Sequence, residues 1–306
     1  MLIQKLSTLE FYKQTMLKND PKDWIGFIFR FHKSDTIRKL FPLIILMCAY
    51  SFVVAYIEIE YMNLSENSHL KNITIMHGLL SFVISMLLVF RTNTAYDRWW
   101  EGRKQWGALV NNSRGLAIKL SAILSPDDAS NRNFFKKIIP AFAEALKNHL
   151  RSEETKLQLF EDADKDYTID HSKHIPNQVS LIMNKRLQNM LRNGKISNEQ
   201  MLFINSELQS FNDICGACER IKNTPIPYSY SAFLKKFIFI YVVTLPFGYV
   251  FSLGYFVIPV IAFIFYVIAS LELIAEEIED PFGTDANDLP IEKIAKNIEW
   301  NIQEIL

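Results

Sequence analysis

The chain has 306 residues, of which 49% are hydrophobic and 22% charged, so its apolar side chains must be segregated along the sequence. Lys and Arg number 33 and so do Asp and Glu, and a net charge of zero lacks the basic surplus of a polyanion binder, which argues against nucleic acid as a partner. Three Cys cannot build a disulfide framework, and 10 Gly with 11 Pro exclude a collagenous or low-complexity chain.

Residues 1–39 form a basic segment with eight Lys and Arg. Lys5, Lys13, Lys18 and Lys22 interrupt its start, so no cleavable signal is expected there. Residues 40–57, LFPLIILMCAYSFVVAYI, carry no charge, and as a helix rising about 1.5 Å per residue they nearly cross a hydrocarbon core of about 30 Å. Residues 73–90, ITIMHGLLSFVISMLLVF, are a second such run. Two more, 237–253 and 255–271, are separated by Gly254 alone, so a reversal between them must borrow residues from both, and Pro246 and Pro259 are expected to kink them. Four runs in two close pairs predict four transmembrane helices in two blocks, 40–90 and 237–273. The 58–72 loop sets Glu58, Glu60 and Glu66 against Lys71 alone, so the positive-inside rule puts the N-terminus in the cytosol. With four crossings the 91–236 portion and the 274–306 segment fall on the same side.

Residues 91–236 are charged and carry apolar residues at three- and four-residue spacings, as in Phe134, Ile138, Ile139, Phe142 and Leu146, or Met183, Leu187, Met190 and Leu191. This predicts amphipathic helices and an all-α fold. Residues 152–177 read as a polar connection, and Asn193-Gly194 as a turn.

Few constellations carry chemistry. Cys215-Gly216-Ala217-Cys218 has CxxC spacing but lacks both a βαβ context and a second ligand pair, so buried packing is the better reading. His171 and His174 stand three apart in a polar stretch and read as a solvated pair. Phosphate-cradling and zinc-hydrolase signatures are missing, which disfavours an enzyme. Glu272, Glu276, Glu277, Glu279, Asp280, Asp285 and Asp288 read as a solvated helix end with the oxygen donors that Ca2+ or another hard cation would need. In the second apolar run, Phe82, Met86 and Phe90 recur every four residues along one stripe, while Gly78, Ser81 and Ser85 permit close helix approach. Such a stripe ordinarily faces lipid or a neighbouring helix. Arranged around an axis by several copies, it becomes stacked apolar rings able to gate by dewetting.

The ordered segments from Phe90-Arg91-Thr92-Asn93-Thr94-Ala95-Tyr96-Asp97 through Arg98-Trp99-Trp100-Glu101-Gly102-Arg103, then Cys218-Glu219-Arg220-Ile221, Thr224-Pro225-Ile226-Pro227, Glu279-Asp280-Pro281-Phe282-Gly283-Thr284-Asp285 and Asn287-Asp288-Leu289-Pro290, resemble the bestrophin family, in wording its bacterial branch. The resemblance spans roughly residues 20–295. It implies a homopentameric channel for monovalent ions in the inner membrane of a bacterium, with one axial pore and a cytosolic helical vestibule. The family's hydrophobic neck falls on Phe82, Met86 and Phe90, with Met86 departing from the usual aliphatic or aromatic residue. Its cytosolic aperture falls near Glu199 and Gln200, which are polar where the family is apolar. Asp285 and Asp288 match two carboxylates of a calcium clasp whose acidic run is broken here by Ala286 and Asn287. A Glu199 ring would attract cations, whereas Phe ring edges would favour anions, and the expectation leans to cations. Arg98, Trp99 and Trp100 read as packing and interfacial anchors. The rival functions are a secondary transporter, which internal repeats and midplane carboxylates would signal, and a non-conducting membrane scaffold or sensor.

Overall fold

The computed structural model describes residues 36–62, 73–153 and 169–306. Most of the basic N-terminal segment, the 63–72 part of the acidic loop and the 154–168 part of the polar connection lie outside the described residues. Every regular element among the described residues is helical: α1 (Thr36–Tyr56), α2 (Ile73–Ile123), α3 (Ala129–Arg151), α4 (Ile175–Arg192), α5 (Asn198–Asn223), α6 (Tyr228–Leu253), α7 (Val257–Glu279) and α8 (Ile291–Ile305).

Among the described residues, three stretches, Thr36–Tyr61, Ile73–Ile123 and Tyr228–Glu279, are long and apolar enough to cross a membrane. The third is a hairpin. Lys235 Nζ in α6 lies 2.8 Å from Glu276 Oε1 in α7, whereas 41 residues of straight helix would hold them about 60 Å apart. The chain turns at Gly254, whose φ of +54° favours glycine, and a 3-10 turn, Gly254–Phe256, leads into α7. Pro259 then occupies the first turn of α7, where an N–H would have no intrahelical partner, so it costs the helix no hydrogen bond.

Hydrogen bonds fix the order of the other two apolar helices. Thr36 Oγ1 donates to Ser270 Oγ at 2.8 Å near one end of α1, and Tyr255 Oη donates to Glu60 Oε1 at 3.2 Å near the other, so α1 runs antiparallel to α7. Thr74 Oγ1 donates to the Gly248 carbonyl at 2.9 Å and Tyr230 Oη to the Leu87 carbonyl at 3.1 Å, which sets α2 antiparallel to α6. Met47, Ile84, Leu88, Leu245, Val257 and Ile261 are among the side chains buried where these helices meet. Glu58 and Glu60, expected in the loop, lie instead on a π-helical extension, Ile57–Tyr61, and Glu58 is buried.

α2 does not stop where its composition changes at Arg91. It continues as one helix of 51 residues, about 75 Å long, whose second half enters the core of the helical portion. Trp106, Leu109, Leu116 and Leu120 are fully buried there against α3, α5 and α8, and the stripes Phe134, Ile138, Ile139, Phe142 and Leu146 and Met183, Leu187 and Met190 face that core as their spacing predicts. α3 is capped by Asp128, and α5 by a reciprocal pair in which Ser197 Oγ accepts from the Gln200 N–H and Gln200 Oε1 from the Ser197 N–H. Part of the expected connection is helix, since α4 begins at Ile175 with His174 as its N-cap.

Candidate functional site

The apolar half of α2 has two faces. His77, Ile84, Leu88, Arg91 and Ala95 are buried against the rest of the chain. Phe82, Met86 and Phe90 point away from it, exposed by 72%, 51% and 52%. At about 100° per residue these three fall within about 80° of one another, and Asn93 and Asp97 prolong the same sector into the charged half of the helix. Ser81 Oγ donates to the Gly78 carbonyl and Ser85 Oγ to the Ser81 carbonyl, both at 2.7 Å, so both hydroxyl protons are spent on their own helix. A Cβ on Gly78 would touch nothing, so no helix among the described residues uses that close approach.

Behind Phe90 stands a belt of ion pairs. Arg91, 1% exposed, sets Nη2 2.7 Å from Glu279 Oε2 and Nε 3.5 Å from Glu272 Oε2. Glu277 takes Lys39 at 2.5 Å and accepts from Asn287 Nδ2 at 2.5 Å. Of the acidic run expected as a solvated helix end, Glu272 and Glu277 are buried and Glu279 and Asp288 half-buried beside the cations and amide that reach them, while Glu276, Asp280 and Asp285 stay exposed. Arg98 donates to the main-chain carbonyls of Glu279 at 3.0 Å, of Ile221 at 2.6 Å and of Thr224, closing the C-terminal ends of α7 and α5. Trp99 Nε1 donates to the Asn287 carbonyl at 3.0 Å, while Trp100 is half exposed and stacks on Tyr96.

Asp285 and Asp288 lie in the loop between α7 and α8. Asp288 Oδ2 accepts from the Asp285 N–H at 2.6 Å, and burial pushes its carboxyl up to about 6, with Asp285, Asp280 and Glu277 adding repulsion. A Cβ on Gly283 would stand 2.6 Å from the same oxygen, so only glycine lets this loop close. The Asp285 side chain faces outward. Glu199 and Gln200 open α5 at the end remote from the apolar helices, since Lys119 near the end of α2 donates to the Phe203 carbonyl at 2.6 Å while Arg98 meets the far end of α5. The Ser197 hydroxyl and the helix backbone hold the exposed Glu199 carboxyl below its usual range. Gln200 is committed to the cap, and Leu202, one turn beyond Glu199, is 75% exposed.

Among the described residues, the group of three or more His, Cys, Asp or Glu donors close enough to share an ion is His149, His174 and Glu219. Sequence spacing offers no sign of it, because its members come from three helices. His174, expected to be solvated beside His171, is drawn into it. Cys215 and Cys218 are buried free thiols within the core, in keeping with the packing reading.

A family model described as Bacterial/Fungal Bestrophin protein matches residues 15–304. The chain is 37% identical over 232 residues to the voltage-dependent anion channel-forming protein alr2987 of Nostoc sp., covering 74% of this chain and 75% of that one. It is 32% identical over 293 residues to the Escherichia coli (strain K12) protein YneE, which bears the same description, covering 95% and 94%. A crystal structure of a point-substituted bacterial bestrophin homologue from Klebsiella pneumoniae superposes with a TM-score of 0.78 at 29% identity, covering 87% of this chain and 98% of that one. The chain therefore belongs to the bacterial/fungal bestrophin family.

Proposed function

We propose that the chain is one subunit of a homopentameric ion channel in the inner membrane of a bacterium, with α1, the first half of α2, α6 and α7 crossing the bilayer and both termini in the cytosol. Residues 91–236 form the cytosolic vestibule, and 274–306 a segment packed beneath the membrane. The observation that carries this reading is the orientation of α2: its buried face is locked by Arg91, and Phe82, Met86 and Phe90 are left pointing out of the subunit. Five copies around an axis turn that face into three stacked apolar rings, a neck that excludes water until it widens. Below it, Asn93 and Asp97 would line the entry to the vestibule, and Glu199 with Leu202 its cytosolic exit.

The lean toward cations gains nothing from the comparisons, since the Nostoc and Escherichia coli relatives are both named for anions. Anion permeation is therefore the first reading, with the electropositive edges of Phe82 and Phe90 facing the ion. Cation permeation is the second, favoured by the exposed Asp97 and Glu199 carboxylates. Calcium gating through Asp285 and Asp288 would draw on Asp288 Oδ1, which has no hydrogen-bond partner among the described residues, while Oδ2 holds the Asp285 N–H.

Reconstitution into liposomes tests these readings together. Ala at Phe82, Met86 and Phe90 raises flux if the stripe is the neck. Unchanged flux overturns that assignment, and silence from every variant favours a scaffold. The sign of the reversal potential in a KCl gradient separates anion from cation passage, uphill movement would indicate a transporter, and flux indifferent to added Ca2+ excludes the clasp as a gate.

A further inference from the structure

His149 lies in the last turn of α3, His174 is the N-cap of α4 and Glu219 stands near the end of α5. Both imidazoles converge on one carboxylate oxygen, His149 Nε2 at 2.7 Å and His174 Nε2 at 2.5 Å, with the ring centroids 4.3 Å apart. The three donor atoms lie within 4.8 Å of one another. Ligands at zinc bond lengths in a tetrahedron stand about 3.3 Å apart, so small rotations would place all three around one ion. His149 and Glu219 border a cavity of about 370 Å³ that also touches Glu153, His171, Lys173 and Lys222, leaving a side open for a water ligand. We propose that His149, His174 and Glu219 bind a divalent transition-metal ion of the zinc class, one per subunit, with water in the fourth position.

The donor set selects the class. Two imidazoles and one carboxylate suit zinc, cobalt or nickel, whereas Ca2+ demands six or more oxygens and Mg2+ an oxygen octahedron. This site is therefore distinct from the Asp285 and Asp288 loop. Two cations border it, but both are engaged: Lys222 Nζ donates to Ser152 Oγ at 2.9 Å and to the His149 carbonyl at 3.3 Å, and Lys173 pairs with Asp170 at 3.0 Å. Glu153 adds a compensating negative charge at the rim. Metal binding also has a structural signature. His174 Nδ1 accepts from the Asn177 N–H at 3.2 Å, so its proton sits on Nε2. An ion at Nε2 moves that proton to Nδ1 and opens the cap bond, leaving the exposed Asn177 N–H to water. In exchange the ion ties together α3, α4 and α5, two of which flank the 154–168 connection.

The test uses the full-length protein in detergent, stripped with EDTA and titrated with ZnCl2. The wild type binds one Zn2+ per subunit and melts at a higher temperature when loaded, while CaCl2 produces neither effect. His149→Gln and His174→Gln each weaken Zn2+ binding by about 100-fold or more. His171→Ala, which touches the cavity without joining the ligand group, leaves it unchanged. Substituted Co2+ in the wild type shows the intense visible absorption of a tetrahedral site, a readout that needs no variant to fold. Equal Zn2+ affinity in the wild type and in a variant carrying both His149→Gln and His174→Gln, absence of saturable binding, or a pale octahedral Co2+ spectrum would overturn the proposal.

Discussion

Arg91 Nη2 sits 2.7 Å from Glu279 Oε2, joining α2 to α7 on the side of the helix away from Phe82 and Met86. Arg91 is almost wholly inaccessible and shares its charge with Glu272. Removing one partner of a buried pair strands the other, so Arg91→Met should destabilise the protein by about 3–5 kcal/mol. Glu279→Gln keeps the shape and the acceptor for the Ile226 N–H, bonded at 2.8 Å, and should cost less. The double variant should melt above the sum of the two losses, because it leaves fewer uncompensated charges behind. Thermal unfolding of the assembled protein in detergent measures all three, and an additive result would show that the pair is not coupled.

The two thiols of the CxxC sequence should be inert. Burial pushes Cys215 up to about 12 and Cys218 higher still, with the Glu219 carboxylate adding to the effect in both, so almost no thiolate exists at neutral pH. Ellman's reagent should therefore reach Cys215 and Cys218 only after denaturation. Rapid labelling of either in the native protein would contradict the burial.

What could be read from the sequence and what could not divide along one physical line. A membrane interior forces unbroken apolar runs, and the helical period forces a stripe, so the four apolar helices and the shared face of Phe82, Met86 and Phe90 were legible from spacing alone. Partnerships between distant helices leave no such mark. Glu277 looks like a solvated terminus until Lys39 and Asn287 are placed beside it, and His149 has no motif of its own until α4 and α5 deliver His174 and Glu219. The change of composition at Arg91 suggested a boundary, yet the backbone continues, because nothing from Arg91 to Ile123 obliges a helix to stop: the stretch holds three Gly and no Pro.

Asp128 gives a pH-dependent prediction. Burial opposes its charge, but Lys195 Nζ at 2.8 Å and the Asn131 side chain and N–H prevail and hold its carboxyl below the usual range. The folded state then binds fewer protons than the unfolded state, so the stabilisation is complete above the unfolded pKa of about 4 and disappears as pH falls through the folded value. Asp128→Ala should cost about 0.5–2 kcal/mol at neutral pH through loss of the cap. The gap between wild type and variant should narrow on acidification in melts recorded along a pH series. A gap that stays constant would show that the carboxylate charge contributes nothing.

In the proposed neck Met86 would be the soft member, an unbranched side chain between two aromatic ones. Met86→Phe should stiffen the constriction and lower flux, whereas Met86→Ser should wet it and raise flux, with reversal potential unaltered in both if the residue gates without selecting ions. Liposome flux and bilayer recordings read the two quantities separately. A shift in reversal potential with either variant would make this ring part of the selectivity filter.

The antiparallel course of α1 and α7 can be checked covalently. Thr36 Oγ1 and Ser270 Oγ meet at 2.8 Å in a buried contact, close enough for sulfur atoms at the same positions to approach bonding distance with small side-chain rotations. Thr36→Cys with Ser270→Cys, in a chain where Cys48 is replaced by Ala, should oxidise to a disulfide within one subunit, found by mass spectrometry as a peptide pair linking the two helices. The link should form without blocking ion flux, since it lies between helices that face away from the Phe82 stripe. Thiols that stay free under oxidant while remaining protected from alkylation would mean that α1 docks in a different register. That outcome would also move Lys39 away from Glu277 and leave one side of the belt beneath Phe90 without its cation.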